Sequence, residues 1–202
     1  MKNFGLMALA LVMTLALAPI ASAQQGLYFT PKVGFSSATV DVDRPGASSE
    51  TKRLVPFGLA VGYDLNPAMG VPVRAEFEYV FRGKTKFYDD GAITKNSPEI
   101  KAGAQTFFVN AYYDIELSAP VTPYVGFGLG MASLTIDNGD SQSETGFAWN
   151  IGLGAAYKLT DLMTLDLGYR YADFGKPEFE FGQKTDVKAN AHEMLLGLRF
   201  TL

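Results

Sequence analysis

Tyr124-Val125-Gly126-Phe127-Gly128-Leu129-Gly130-Met131-Ala132 changes character at every step. Val125, Phe127, Leu129 and Met131 are large and apolar; the residues between them are glycines, closed by Tyr124 and Ala132. Successive side chains of an extended chain point to opposite faces. Strict alternation therefore describes a strand with one apolar face and one of different make-up. Gly126, Gly128 and Gly130 do not form a phosphate loop, because their period is two and no helix follows.

The pattern recurs over 27–36, 57–65, 71–82, 106–115, 149–158, 164–171 and 193–202, giving eight strands in all. Their connections alternate as well. Segments 66–70, 116–122 and 160–163 are short, whereas 37–53, 83–101, 135–146 and 172–187 are long and polar. Short turns at one rim and long loops at the other predict an all-β fold, an eight-stranded antiparallel up-and-down transmembrane β-barrel. Both chain ends then lie at the short-turn, periplasmic rim, and four long loops face outside the cell.

A soluble eight-stranded barrel around an apolar ligand, as in lipocalins, is the competing fold. Two features argue against it. The face opposite the apolar one mixes glycines with full charges, which suits a narrow filled interior better than a solvated exterior. The apolar face also ends in aromatics. Phe35, Phe57, Tyr79, Phe81, Phe107, Trp149, Tyr169 and Tyr171 lie toward the long loops; Phe29, Tyr63, Tyr113, Tyr157 and Phe200 lie toward the short turns. Two aromatic rims around an aliphatic belt are what a bilayer selects.

Composition agrees. Of 202 residues, 48% are hydrophobic and 19% charged, and past residue 23 the apolar ones are spread over alternate positions. The formal net charge of -4 gives no nucleic-acid surface. The absence of cysteine excludes disulfides, thiolate metal sites, cysteine nucleophiles and lipid attachment at cysteine. Lys2, the apolar run from Phe4 to Ile20 and the small-x-small Ala21-Ser22-Ala23 read as a Sec-type signal peptide over 1–23, cleaved after Ala23. Residues 24–202 are then the mature barrel.

The inward face carries Lys32, Arg74, Arg82, Lys158, Arg170 and Arg199 against Asp64, Glu76, Glu78, Asp114, Asp166 and Glu193. Buried charges are costly unless paired, so this balance predicts a cross-linked, closed interior rather than a narrow passive pore. Facing residues of a hairpin have a nearly constant sum of numbers. That places Arg170 near Glu193, Asp166 near Arg199, Lys158 near Asp166 and Asp64 near Arg74.

No catalytic residues, cofactor or metal are expected. The single histidine, His192, sits at the outer end of the last strand, pointing to lipid or the loop boundary. It is followed by Glu193 rather than by the His-x-Ser of lipid A deacylases, and Ser133 is at its height but not on a neighbouring strand. This weighs against a lipid-modifying enzyme. Asp137-Asn138-Gly139-Asp140 lacks the downstream acid of a calcium loop. Asp89-Asp90-Gly91 reads as a turn.

Pro123-Tyr124-Val125-Gly126-Phe127-Gly128-Leu129-Gly130, Asn110-Ala111-Tyr112-Tyr113-Asp114 and Leu167-Gly168-Tyr169-Arg170-Tyr171 resemble the outer-membrane β-barrel domain of the opacity-protein, OmpA-like surface-antigen family. Gly197-Leu198-Arg199-Phe200-Thr201-Leu202 resembles the group's C-terminal assembly signal, with Leu202 where an aromatic is usual. The resemblance covers 24–202. It implies a surface antigen or adhesin in the bacterial outer membrane, surrounded by lipid and lipopolysaccharide. It also implies delivery by periplasmic chaperones and the barrel-assembly machinery, with a host or matrix ligand as the partner of the loops. No peptidoglycan-binding domain is expected after the last strand, so the large OmpA-type anchoring role is not implied.

Overall fold

The computed structural model describes residues 26–42, 50–87, 100–137, 141–175, 178–180 and 184–202. The expected leader with its expected cleavage site at Ala23, the expected turn at Asp89-Asp90-Gly91, and Asn138-Gly139-Asp140 lie outside them.

The strands are β1 (Leu27–Val42), β2 (Glu50–Leu54), β3 (Pro56–Asp64), β4 (Val73–Phe87), β5 (Ile100–Asp114), β6 (Val121–Asp137), β7 (Ser141–Lys158), β8 (Met163–Asp173), β9 (Glu178–Glu180) and β10 (Lys184–Thr201). Both β2 and β3 pair with β1, so together they form one stave. The short β9 pairs only with β10. Eight antiparallel staves remain, and β1 pairing with β10 closes them into a cylinder. Pro31 has no N–H to donate, and the β1–β10 ladder passes over Thr30 and Pro31 before resuming at Lys32.

Register fixes the shape. From Tyr28, successive partners are Gly62, Glu76, Asn110, Gly128, Asn150, Ala172 and Ala191, and the path re-enters β1 at Ala38. It has climbed from 28 to 38, a shear of ten residues. With eight staves at ordinary strand spacing, this gives a tilt of about 40° and a backbone radius of about 8 Å. Side chains fill a cylinder of that width.

Alternation sorts the residues as expected. Val33, Phe35, Leu59, Phe77, Val109, Phe127, Leu153 and Leu196 are exposed on the outside, while Arg74, Glu78, Arg82 and Glu193 are among the most deeply buried side chains. The molecule is apolar outside and ionic inside, the reverse of a soluble domain.

The connections differ from expectation. Part of each segment expected as a long loop is paired strand: β1 runs on to Val42, β4 to Phe87 and β6 to Asp137, and β10 begins at Lys184. Beyond lipid a strand has water outside it and needs no apolar face, so the alternation ends while the ladder continues. At the other rim, the 66–70 turn is a helical turn, α1 (Asn66–Met69), closed by Gly70 at φ 67°. Only glycine adopts that angle readily.

Candidate functional site

Six lumen groups form one chain of alternating sign. Lys32 bonds Glu76 and reaches Glu78 at 2.6 Å. Glu78 accepts from Arg170 at 2.5 Å, and Arg170 donates to Glu193 at 2.8 Å. Arg82 holds Glu193 with two bonds of 2.6 and 2.9 Å and donates to Thr106 at 3.0 Å. Nearer the short-turn rim, Arg74 holds Asp114 with two bonds of 2.7 and 2.9 Å. Arg199 reaches Asp166 at 2.6 Å, and the Tyr124 hydroxyl donates to the same carboxylate at 2.5 Å. Arg74 also lies over the rings of Tyr112 and Tyr124, at 4.8 and 5.0 Å from their centroids. Five cations thus meet five carboxylates. Pairing is what makes such charges tolerable at low dielectric.

The expected partners divide. Arg170 with Glu193 and Asp166 with Arg199 are bonded in the structure. Asp64 and Arg74 are register partners, but the guanidinium turns to Asp114, and Asp64 instead accepts the Asn66 N–H at the turn. Lys158 is a correction. Its register partner is Thr164, and it pairs at 2.8 Å with Asp161, exposed on the rim. The strand has left the lumen before Lys158, so water rather than Asp166 surrounds it. The Lys158 ammonium holds the Asp161 carboxyl below its usual range.

Glycines make room for this packing. A Cβ on Gly128 would sit 1.9 Å from Asn110 Oδ1, where Asn150 Nδ2 donates to that oxygen at 3.0 Å. A Cβ on Gly154 would meet the Tyr124 ring at 2.3 Å. A cavity of about 40 Å³ remains, lined in part by Lys32, Glu78, Tyr112, Asn150, Asp166 and Arg170. Space of that size accommodates water. Arg170 Nη2 and Asn110 Nδ2 are buried with no protein acceptor.

Above the ionic chain the lumen turns apolar. Ala132, Ala148, Ala172, Ala189 and Ala191 form a small-residue socket around Phe108 and Phe174. Phe174 is 2% exposed, its ring lies 4.8 Å from the Arg82 guanidinium, and its N–H donates to Ala189 O. The turn that tucks it inward uses Gly175 at φ 76°, whose N–H is held by the Asp173 carboxylate at 2.8 Å. This plug was not foreseen, because Phe174 falls outside the alternating run. The lumen is therefore closed at two levels.

On the outside, Trp149 packs on Tyr171 at 5.6 Å, Tyr171 on His192 at 5.2 Å, and Phe29 on Phe200 at 4.8 Å. His192 Nδ1 bonds the Tyr169 hydroxyl at 2.8 Å. Ser37, expected in a loop, is a strand residue and the register partner of His192. Among the described residues, no group of three or more His, Asp or Glu is arranged to hold a metal ion.

A closed cylinder with an apolar exterior between aromatic rims and an ionic interior is an integral β-barrel of the bacterial outer membrane. The chain belongs to the outer membrane protein beta-barrel domain family, whose profile matches residues 5–200. It is 28% identical to Outer membrane protein PagN of Salmonella typhimurium over 238 aligned positions, covering 99% of each chain. It is 29% identical over 110 residues to the 25 kDa outer-membrane immunogenic protein of Brucella melitensis, covering 53% of this chain and 50% of that one. The crystal structure of Neisserial surface protein A superposes with a TM-score of 0.62 at 21% identity, covering 86% of this chain and 97% of that one.

Proposed function

We propose that the protein is a non-enzymatic surface-interaction barrel, an antigen or adhesin whose contact surface is the set of strand extensions and tips beyond the outer aromatic rim. The carrying observation is the β6–β7 hairpin. It continues six residues past the Met131–Phe147 pair, from 131 to 137, or about 20 Å along the strand. Its outward positions there are Ser133, Thr135, Ser143 and Thr145, with hydroxyl contacts of 3.1 Å between Ser133 and Ser143 and 3.3 Å between Thr135 and Ser143. A paired, polar, projecting hairpin is a rigid platform. The doubly closed lumen weighs against the passive-pore reading, and the His192–Tyr169 bond gives the histidine a packing role rather than a catalytic one. The word immunogenic in the Brucella relative's name accords with exposure at the surface. Delivery follows the leader, with cleavage after Ala23, periplasmic chaperones, the barrel-assembly machinery and both mature termini in the periplasm.

The test replaces the four tips with short turns and scores whole-cell binding to host cells and matrix. Retained folding with lost binding is the expected result; unchanged binding refutes the reading. Altered solute uptake alone would favour the pore, and an altered lipid A mass spectrum in His192→Ala cells would favour an enzyme.

A further inference from the structure

We infer that the upper edge of β7, over residues 141–147, is a docking edge that takes one extended segment of a partner polypeptide as an added strand. Below the outer aromatic rim each stave has a partner on both sides. Above it the β7–β8 ladder stops at Trp149 and Asp173, whereas the β6–β7 ladder climbs on to Asp137 and Ser141. The plug is the cause. Phe174 turns into the lumen and gives its N–H to Ala189 O, and the stave resumes as β9, which pairs with β10 alone. Among the described residues, nothing pairs with β7 on that side over 141–147.

The free groups can be assigned. A Cβ on Gly175 would sit 2.5 Å from Phe147 O, so that carbonyl points away from β6, across the seam. In an antiparallel ladder, alternate residues turn both N–H and C=O to the same side. Ser141, Ser143 and Thr145 therefore aim theirs across the same seam, while Gln142, Glu144 and Gly146 hold β6. Ser143, Glu144 and Thr145 are consecutive and all exposed, so no second layer covers either face of the strand. Natural edges are usually blunted by proline, lysine or a bulge. This one has none of them, whereas the other upper edge, on β4, is broken by a bulge between Arg82 and Thr85. A row of main-chain donors and acceptors at strand spacing is complementary to another extended main chain, whatever its side chains. Glu144 favours a basic residue opposite. The inference rests on the tips being the contact surface and gives their partner a form.

The test uses the protein in phosphatidylcholine nanodiscs and a fluorescent peptide of about nine residues that alternates threonine with valine around a central lysine. Methyl groups on every second peptide nitrogen leave it one pairing edge and prevent self-stacking; a twin methylated on all nitrogens has no edge. Fluorescence anisotropy is expected to show the probe bound and the twin at least about tenfold weaker. Proline at 143 and 145 removes two free-edge N–H groups and spares the β6 ladder. S143P/T145P is therefore expected to bind the probe about tenfold more weakly, and S143A/T145A within about twofold of wild type. Trp149 fluorescence reports the folding of each variant; should the proline variant not fold, the two peptides decide the matter on wild type. No binding of the probe by wild type overturns the inference. So does equal binding of the twin, or a loss in S143A/T145A equal to that in S143P/T145P. Native mass spectra with dimers that the proline variant lacks, and no probe bound, give the edge to a second copy of the chain and overturn it too. If tip replacement abolishes cell binding while S143P/T145P leaves it intact, the surface role of the tips stands and the added strand falls.

Discussion

Glu193 is the group on which the lumen network turns. It is fully buried and accepts three charge-assisted bonds, two from Arg82 and one from Arg170. With Lys32, Glu76 and Glu78 these groups count three cations against three carboxylates. Glu193→Leu leaves three against two, and nothing else described can reach Arg82 but the Thr106 hydroxyl and the Phe174 ring. Removing one partner of a buried pair costs about 3–5 kcal/mol. A second substitution, Arg82→Met, restores the balance at two against two, because Arg170 keeps Glu78 and Lys32 keeps both glutamates. The double variant is therefore expected to recover at least half of the loss. Replacing a whole buried pair with apolar residues is often neutral. Reversible urea unfolding in lipid vesicles, followed through the single tryptophan, Trp149, measures both. A loss under about 1 kcal/mol for Glu193→Leu would refute the claim that pairing holds this interior. So would a double variant no more stable than the single.

Further outcomes follow from the same geometry. Gly128→Ala should cost about 1–3 kcal/mol by driving apart Asn110 and Asn150. Gly146→Ala, whose new Cβ would meet only Phe174 O at 3.8 Å, should be tolerated in the same assay. Lys158→Ala removes an exposed rim pair and should leave the unfolding midpoint at the wild-type value. Phe174→Ala should cost about 3–5 kcal/mol by emptying the alanine socket. Planar-bilayer recordings of it should still stay silent, because the ionic chain beneath crosses the lumen; stable conductance would show that the plug alone closes the barrel.

Which residues face lipid was readable from the sequence, because period two is the geometry of a strand and the bilayer punishes an error at any position. Arg170 with Glu193 was readable too, since β8 and β10 are adjacent and their pairing sum is constant. The transverse bonds were not. Arg82 with Glu193, Arg170 with Glu78 and Lys32 with Glu76 join strands that are not neighbours. Who lies opposite whom depends on the shear, which alternation does not contain. Lys158 failed for a related reason: parity assigns a face but not the height at which a strand leaves the lumen. Ser37 and the β6–β7 extension were hidden because the apolar signal stops at the lipid boundary while backbone pairing does not.

The junction of β1 with β10 has a mechanical meaning. Tyr28 pairs with Thr201, and the Leu202 N–H donates to Leu27 O at 2.9 Å, so the first and last staves are zipped like any other pair of neighbours. Force cannot be shed at a free edge, since the cylinder has none; a stave can leave only by breaking two ladders at once. That junction is then interchangeable with any of the short turns. A permuted gene that joins 202 to 27 through a few residues and starts at α1 would encode the same cylinder, opened on paper at a different stave.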